Sequence, residues 1–151
     1  MTNIIYNQFK RQLAIGTYRW TDQVNPADAN GEVMFALMKT AADDVDDTVL
    51  SDVLSGKDYD DDSYTRPVLD SLVVVNDTTS NHSELTAANE VVTIAADGSE
   101  QVVGIVVYVR PGVSTADNGC HPVCYMDVTN FTGKGDGVTF VWNAEGLMKL
   151  V

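Results

Sequence analysis

The sequence predicts one mainly β domain, a β-sandwich or jelly-roll-like unit with an N-terminal amphipathic helix and a short acidic helical or loop insertion. Three observations lead there. Residues 101–110, Gln-Val-Val-Gly-Ile-Val-Val-Tyr-Val-Arg, form the longest apolar and β-branched run, with too little polar alternation for a strand wetted on one face. Shorter runs of the same character recur at 32–39, 68–75, 90–95, 123–128 and 138–142, separated by Asn, Asp, Gly and Ser clusters. The chain has 151 residues, enough for one domain that buries roughly 68–70% of its unfolded surface without a metal or disulfide.

Taken in order, residues 4–15 place Ile5, Phe9 and Leu13 four apart, on one face of a helix. Asn3 suits its N-cap, Lys10 and Arg11 its negative end, and Gly16 its closing turn. Such a helix serves either as a plug on the open side of a sandwich, the favoured reading, or as a subunit contact. Residues 17–20 extend and 23–31 form a loop. At 32–39, Val33, Phe35 and Leu37 alternate with Met34, Ala36 and Met38, giving a strand apolar on both faces.

Residues 41–64 change character, with nine aspartates opposed only by Lys57. Val45, Leu50, Val53 and Leu54 suggest one face of a short helix with Asp47 near its start and Gly56 closing it, and the remainder reads as a solvent-side, mobile insertion. The main β region then runs from 68 to 151. A strand at 68–75 turns through 76–83, and a strand at 90–95 ends at Asp97-Gly98, a dipeptide that predicts a hairpin with 101–110. Gly104 predicts a close neighbour, either backbone or a bulky ring. After a loop at 111–119, residues 123–128 form a strand with Val123, Tyr125 and Asp127 on one side, and 129–137 a polar, glycine-bearing loop. Val138, Phe140 and Trp142 then share one face of a strand, followed by a turn at 143–146 and a closing hairpin with 147–151.

Composition narrows function. The formal net charge is −13, which repels phosphate and argues against nucleic acid or an anionic membrane as partner. No apolar run approaches the ~20 residues of a membrane-spanning helix. The N-terminus lacks the basic and apolar blocks of a signal peptide, so the expected place of synthesis is a cytoplasm. Cys120 and Cys124 are either reduced thiols or a local clip; with His121 they fall short of the four ligands of structural zinc. Asp58, Asp60 and Asp62 alternate without the glycine and glutamate of an EF-hand, so a solvated acidic face is preferred to a cation loop. No nucleophile elbow, zinc-protease helix, P-loop or dinucleotide glycine pattern occurs. Neither metal nor cofactor is expected. A carboxylate-pair hydrolase is the weakest alternative, because such pairs are set by fold rather than by spacing.

Two ends of the chain carry a resemblance. Ile5-Tyr6-Asn7-Gln8-Phe9-Lys10 followed by Gly16, and Val138-Thr139-Phe140-Val141-Trp142-Asn143-Ala144-Glu145-Gly146-Leu147, resemble the bracketing motifs of a family of small tailed-bacteriophage virion structural proteins. The strand from Val33 and the aliphatic strand at 103–108 match that family's order and spacing. The acidic insertion is longer and more charged than the family pattern. The resemblance implies a non-enzymatic head decoration or cement protein on the virion, bound to the outside of the major capsid protein lattice and homo-oligomeric, with a trimer the usual form for the class. It supplies no catalytic, cofactor or metal residue. Ile5, Phe9, Leu13 and Trp142 are the candidate contact residues. The alternative is a tail- or fibre-associated module that binds a host glycan on Tyr108, Tyr125 and Trp142.

Overall fold

The computed structural model describes residues 4–14, 18–20, 24–26, 31–59, 64–78, 82–94, 100–133, 135, 137–142 and 148–150. Its fold is mainly β, antiparallel and sandwich-like. Eleven strands are described: β1 (Ile4–Ile5), β2 (Tyr18–Trp20), β3 (Val24–Pro26), β4 (Glu32–Met38), β5 (Val73–Asp77), β6 (His82–Thr86), β7 (Glu90–Thr93), β8 (Gln101–Arg110), β9 (His121–Thr132), β10 (Gly137–Phe140) and β11 (Met148–Leu150). Two helices, α1 (Asn7–Ala14) and α2 (Leu50–Leu54), and a 3-10 turn at Asp117–Gly119 complete the described elements.

The centre is a four-stranded sheet in the order β1-β9-β8-β4. As its composition predicts, β8 lies inside, with Val102 and Gly104 through Val109 all buried, and β4 is buried from Val33 onward. Register aligns Phe35 with Val107 and Leu37 with Ile105 on one face, and Met34 with Tyr108 and Ala36 with Val106 on the other. Burying side chains of this size contributes roughly 1.5–3 kcal/mol each, an upper estimate, so this pair of strands dominates the core. Gly104 has the close neighbour its sequence position predicts. The Tyr125 ring lies over it from β9, in the space a β-carbon would occupy, and the Tyr125 hydroxyl donates to Asp127 at 2.8 Å. Strand β9 is longer than predicted, taking residues 129–132 out of the expected loop, and a register shift between Val102 and Gly104 bends its pairing with β8.

The acidic segment departs most from expectation. It is neither separate from the core nor confined to the solvent side: Ala42, Leu50, Val53, Leu54 and Tyr59 are all core residues. Its chain runs along the outer edge of β4. Lys39 N–H donates to Lys57 C=O (2.9 Å), Tyr59 N–H to Leu37 C=O (3.0 Å), Phe35 N–H to Pro67 C=O (3.3 Å) and Leu69 N–H to Val33 C=O (2.8 Å). Between these two stretches of backbone a side chain completes the ladder. The Tyr64 hydroxyl accepts from Leu37 N–H at 3.0 Å and donates to Phe35 C=O at 3.4 Å. The expected helix is shorter and begins at Leu50 rather than near Asp47, leaving Val45 outside it. Gly56 closes it as predicted, with φ +68° and the amides of Lys57 and Asp58 both donating to Leu54 C=O.

Other boundaries also move. The N-terminal helix covers 7–14 rather than 4–15, because β-branched Ile4 and Ile5 pair with Tyr125 and Cys124 at the edge of β9. Residues 24–26, expected as loop, pair with 18–20. The strand predicted from Val68 starts at Val73; Val68 makes only a lone bridge to Met34, and residues 76–77 and 82–83 extend a β5–β6 hairpin into the expected turn. The predicted β7–β8 hairpin does not form. Both edges of β8 are taken by the longer strands β4 and β9, and β7 pairs with β10 instead. Among the described residues β11 pairs with β6 and not with β10, as the predicted closing hairpin would require. The main β region therefore draws on β1 and β4 as well as on residues 68–151. Asn3, Gly16, Asp97-Gly98 and the turn at 143–146 lie outside the described residues.

Two substitutions test this packing. Gly104→Ala forces a methyl into the Tyr125 ring and should cost ~1–3 kcal/mol in chemical denaturation, with part of the loss recovered in a Tyr125→Ala background. Tyr64→Phe removes one hydroxyl yet strands an amide and a carbonyl, so it should cost ~1–3 kcal/mol with an unchanged denaturant slope.

Candidate functional site

The acidic segment is the candidate site, and its position follows from ion pairs as well as apolar anchors. Arg66 lies between the segment and the 3-10 turn, donating through Nη2 to Asp58 (2.7 Å) and through Nη1 to Asp117 (2.8 Å). Burial alone would lower the Arg66 pKa, but hydrogen bonds and charge from Asp117 and Asp58 outweigh it and hold the guanidinium charged. The side chain is about one-quarter exposed, which makes this pair of contacts worth more than a fully solvated salt bridge. At the other end, Lys57 pairs with Asp43, whose carboxyl its hydrogen bond pulls below the usual range. Asn7 ties the N-terminal helix to the same segment through its amide on Val45 C=O (3.0 Å) and its Nδ2 on Asp46 (2.6 Å).

What remains facing water is anionic. Asp43, Asp44, Asp46 and Asp52 are exposed, while Leu50, Val53 and Leu54 between them point inward. Burial, then the charge of Asp44, raises the Asp47 pKa above its ordinary value, with Asp52 and Asp43 adding to it and Lys57 opposing. Nearby, the Tyr6 hydroxyl is fully buried with no hydrogen-bond partner among the described residues, and burial followed by the charge of Asp47 pushes its pKa up. Asp58, one of the three alternating aspartates, is committed to Arg66; Asp60 and Asp62 lie outside the described residues. Among the described residues no three His, Cys, Asp or Glu side chains converge as a metal site.

Phe9 is buried, and Ile5 and Leu13 are half-buried against the core, so the helical face turns inward. Trp142 is half-buried, stacks on Phe140, meets Phe35 edge-on at 5.8 Å and donates Nε1–H to Ala88 C=O at 2.7 Å. Tyr108 and Tyr125 are buried and present no ring face to a sugar. Comparison with protein-family models, with curated proteins and with solved structures finds no match. The chemistry of the site therefore rests on its own residues. Cys120 and Cys124 are free thiols: the intervening chain is extended, placing them ~13 Å apart, beyond the ~7 Å reach of a disulfide. Burial pushes the Cys124 thiol up to about 12, which makes it a poor nucleophile at neutral pH. Sequence reasoning found the aspartates but missed Arg66 and Tyr64, neither of which sits in any recognisable pattern.

The charge balance gives two expected outcomes. Arg66→Met leaves Asp58 and Asp117 without their cation and should destabilise by ~1–4 kcal/mol, with Arg66→Lys recovering only part because it cannot reach both carboxylates in one plane. Asp47 has a folded-state pKa above its unfolded value, so its ionisation begins to oppose folding as pH rises past the ordinary carboxyl value and does so fully above the raised one. Asp47→Asn should raise the unfolding midpoint at pH 7, and the gain should vanish as pH falls toward the ordinary carboxyl value of 3.8.

Proposed function

We propose that this chain is a capsid decoration protein that binds the outside of a major capsid lattice and stabilises the head. The observation that carries the reading is the ordered anionic face built by residues 43–52. A face this acidic suits a basic protein surface, and its anchorage to the core removes most of the ordering entropy that a flexible acidic loop would lose on binding. The motifs at the two ends of the chain point to the same class of virion component.

The energetics are those of linkage. A protein that recognises a junction present only in the expanded shell stabilises that state in proportion to its occupancy, and a head filled with self-repelling DNA needs such support. Many copies multiply a modest affinity per copy. Exposed carboxylates act mainly on encounter rate and orientation, since surface pairs contribute little at physiological salt.

Image reconstruction of intact particles tests the assignment, with density for this chain expected on the outer surface of the head; density confined to the tail overturns it. Asp44→Asn with Asp52→Asn should weaken binding to purified heads by roughly twofold to thirtyfold, two exposed pairs at ~0.2–1 kcal/mol each, and flatten its salt dependence.

A further inference from the structure

We infer that Asn118 with Gly119 is a deamidation site that the fold keeps latent, and that its conversion unhooks the acidic segment from the 3-10 turn at Asp117–Gly119. Asparagine before glycine loses its side-chain amide readily, because glycine offers its backbone nitrogen with no β-carbon to crowd the approach. Asn118 is exposed, so water reaches the amide. Glycine is required beside it: a β-carbon at 119 would stand 2.7 Å from the Thr115 methyl.

The reaction needs only water and hydroxide. The Gly119 nitrogen gives its proton to hydroxide and attacks Asn118 Cγ, closing a five-membered imide. The Cγ–Nδ2 bond breaks, and the amide nitrogen leaves as ammonia with a proton from water, which regenerates the hydroxide. Water then opens the ring. Attack at Cγ leaves an ordinary aspartate, whereas attack at the main-chain carbonyl carries the backbone through Cγ as isoaspartate, one methylene longer.

The turn blocks the first step. Gly119 N–H donates to Ala116 C=O at 2.8 Å and Cys120 N–H to Asp117 C=O at 3.2 Å, so the attacking nitrogen is held in a hydrogen bond and its peptide plane cannot swing toward Cγ. Conversion therefore waits for the turn to open. Isoaspartate then keeps it open, because the extra backbone atom within residue 118 breaks the spacing of both hydrogen bonds.

Two anchors of the acidic segment depend on this turn. Asp117 accepts from Arg66 Nη1 at 2.8 Å, and Cys120 C=O accepts from Leu50 N–H at 2.9 Å where α2 begins. Modification of a residue outside the anionic face thereby loosens the helix that carries Asp52 and the arginine that holds Asp58. The inference does not depend on the capsid reading.

Peptide mapping by mass spectrometry tests it, with the full chain incubated at mildly alkaline pH either folded or in urea. Asn118 should convert in urea and roughly tenfold or more slowly in the folded chain. Returned to native buffer, the converted chain should exchange its Leu50 amide faster than an Asn118→Gln chain taken through the same treatment, with Val106 and Val107 equally protected in both. Asn118→Asp, which adds the charge without lengthening the backbone, should exchange Leu50 as the Asn118→Gln chain does. Conversion as fast in the folded chain as in urea, no conversion in urea, a converted chain with unchanged Leu50 exchange, an Asn118→Asp chain that exchanges Leu50 as fast as the converted one, or an equal loss of protection at Val106 and Val107 overturns the inference.

Discussion

The outward-facing backbone of β4 is the constraint from which the rest of the structure follows. A strand this apolar, buried on both faces, cannot leave a row of amides and carbonyls uncovered at its edge, because each unpaired buried group costs about as much as a hydrogen bond and the open edge invites other chains. The chain solves this with a segment whose composition is that of a solvated loop. Backbone from 57–59 and 67–69 pairs with β4 at either end, and the Tyr64 hydroxyl, which both accepts and donates, stands in for the missing residue between them. The aspartates are thereby placed on the outside of a structural strap.

The other edge of that pair of strands is governed by Gly104. Packing the Tyr125 ring across β8 requires a position without a side chain, and the ring in turn brings its hydroxyl to Asp127 on the same strand. With β4 and β9 both committed to β8, the remaining strands must pair among themselves, which accounts for β7 with β10 and for β11 with β6. Phe140 and Trp142 then close over Phe35, linking the ribbon to the central sheet.

What the sequence made legible was local. The β-branched run of β8, the two-faced alternation of β4, the glycine beneath a ring and the glycine that ends α2 each follow from neighbouring residues. Strand partners were not legible, because pairing depends on which edges are free once the longest strands have associated; Asp97-Gly98 read as a hairpin signal for a partnership that β9 had already taken. Ile5 fits a helical spacing with Phe9 and Leu13, yet the edge of β9 claims it. In the acidic segment, Leu50, Val53, Leu54 and Tyr59 are few among many carboxylates, so composition masked their role. Arg66 and Tyr64 act through distant partners and leave no pattern at all.

A strap that is both acidic outside and bonded inside joins fold to function: the surface offered to a basic lattice is held by the same contacts that complete the sheet. The central claim is that this strap belongs to the cooperative core. Amide hydrogen exchange followed residue by residue tests it most directly. Tyr59 and Leu69, the strap amides that donate to β4, should exchange as slowly as the β8 amides of Val106 and Val107 and respond to denaturant with the same slope. Exchange of Tyr59 and Leu69 by small local fluctuations while Val106 and Val107 stay protected would show a strap that opens independently, and would contradict the account.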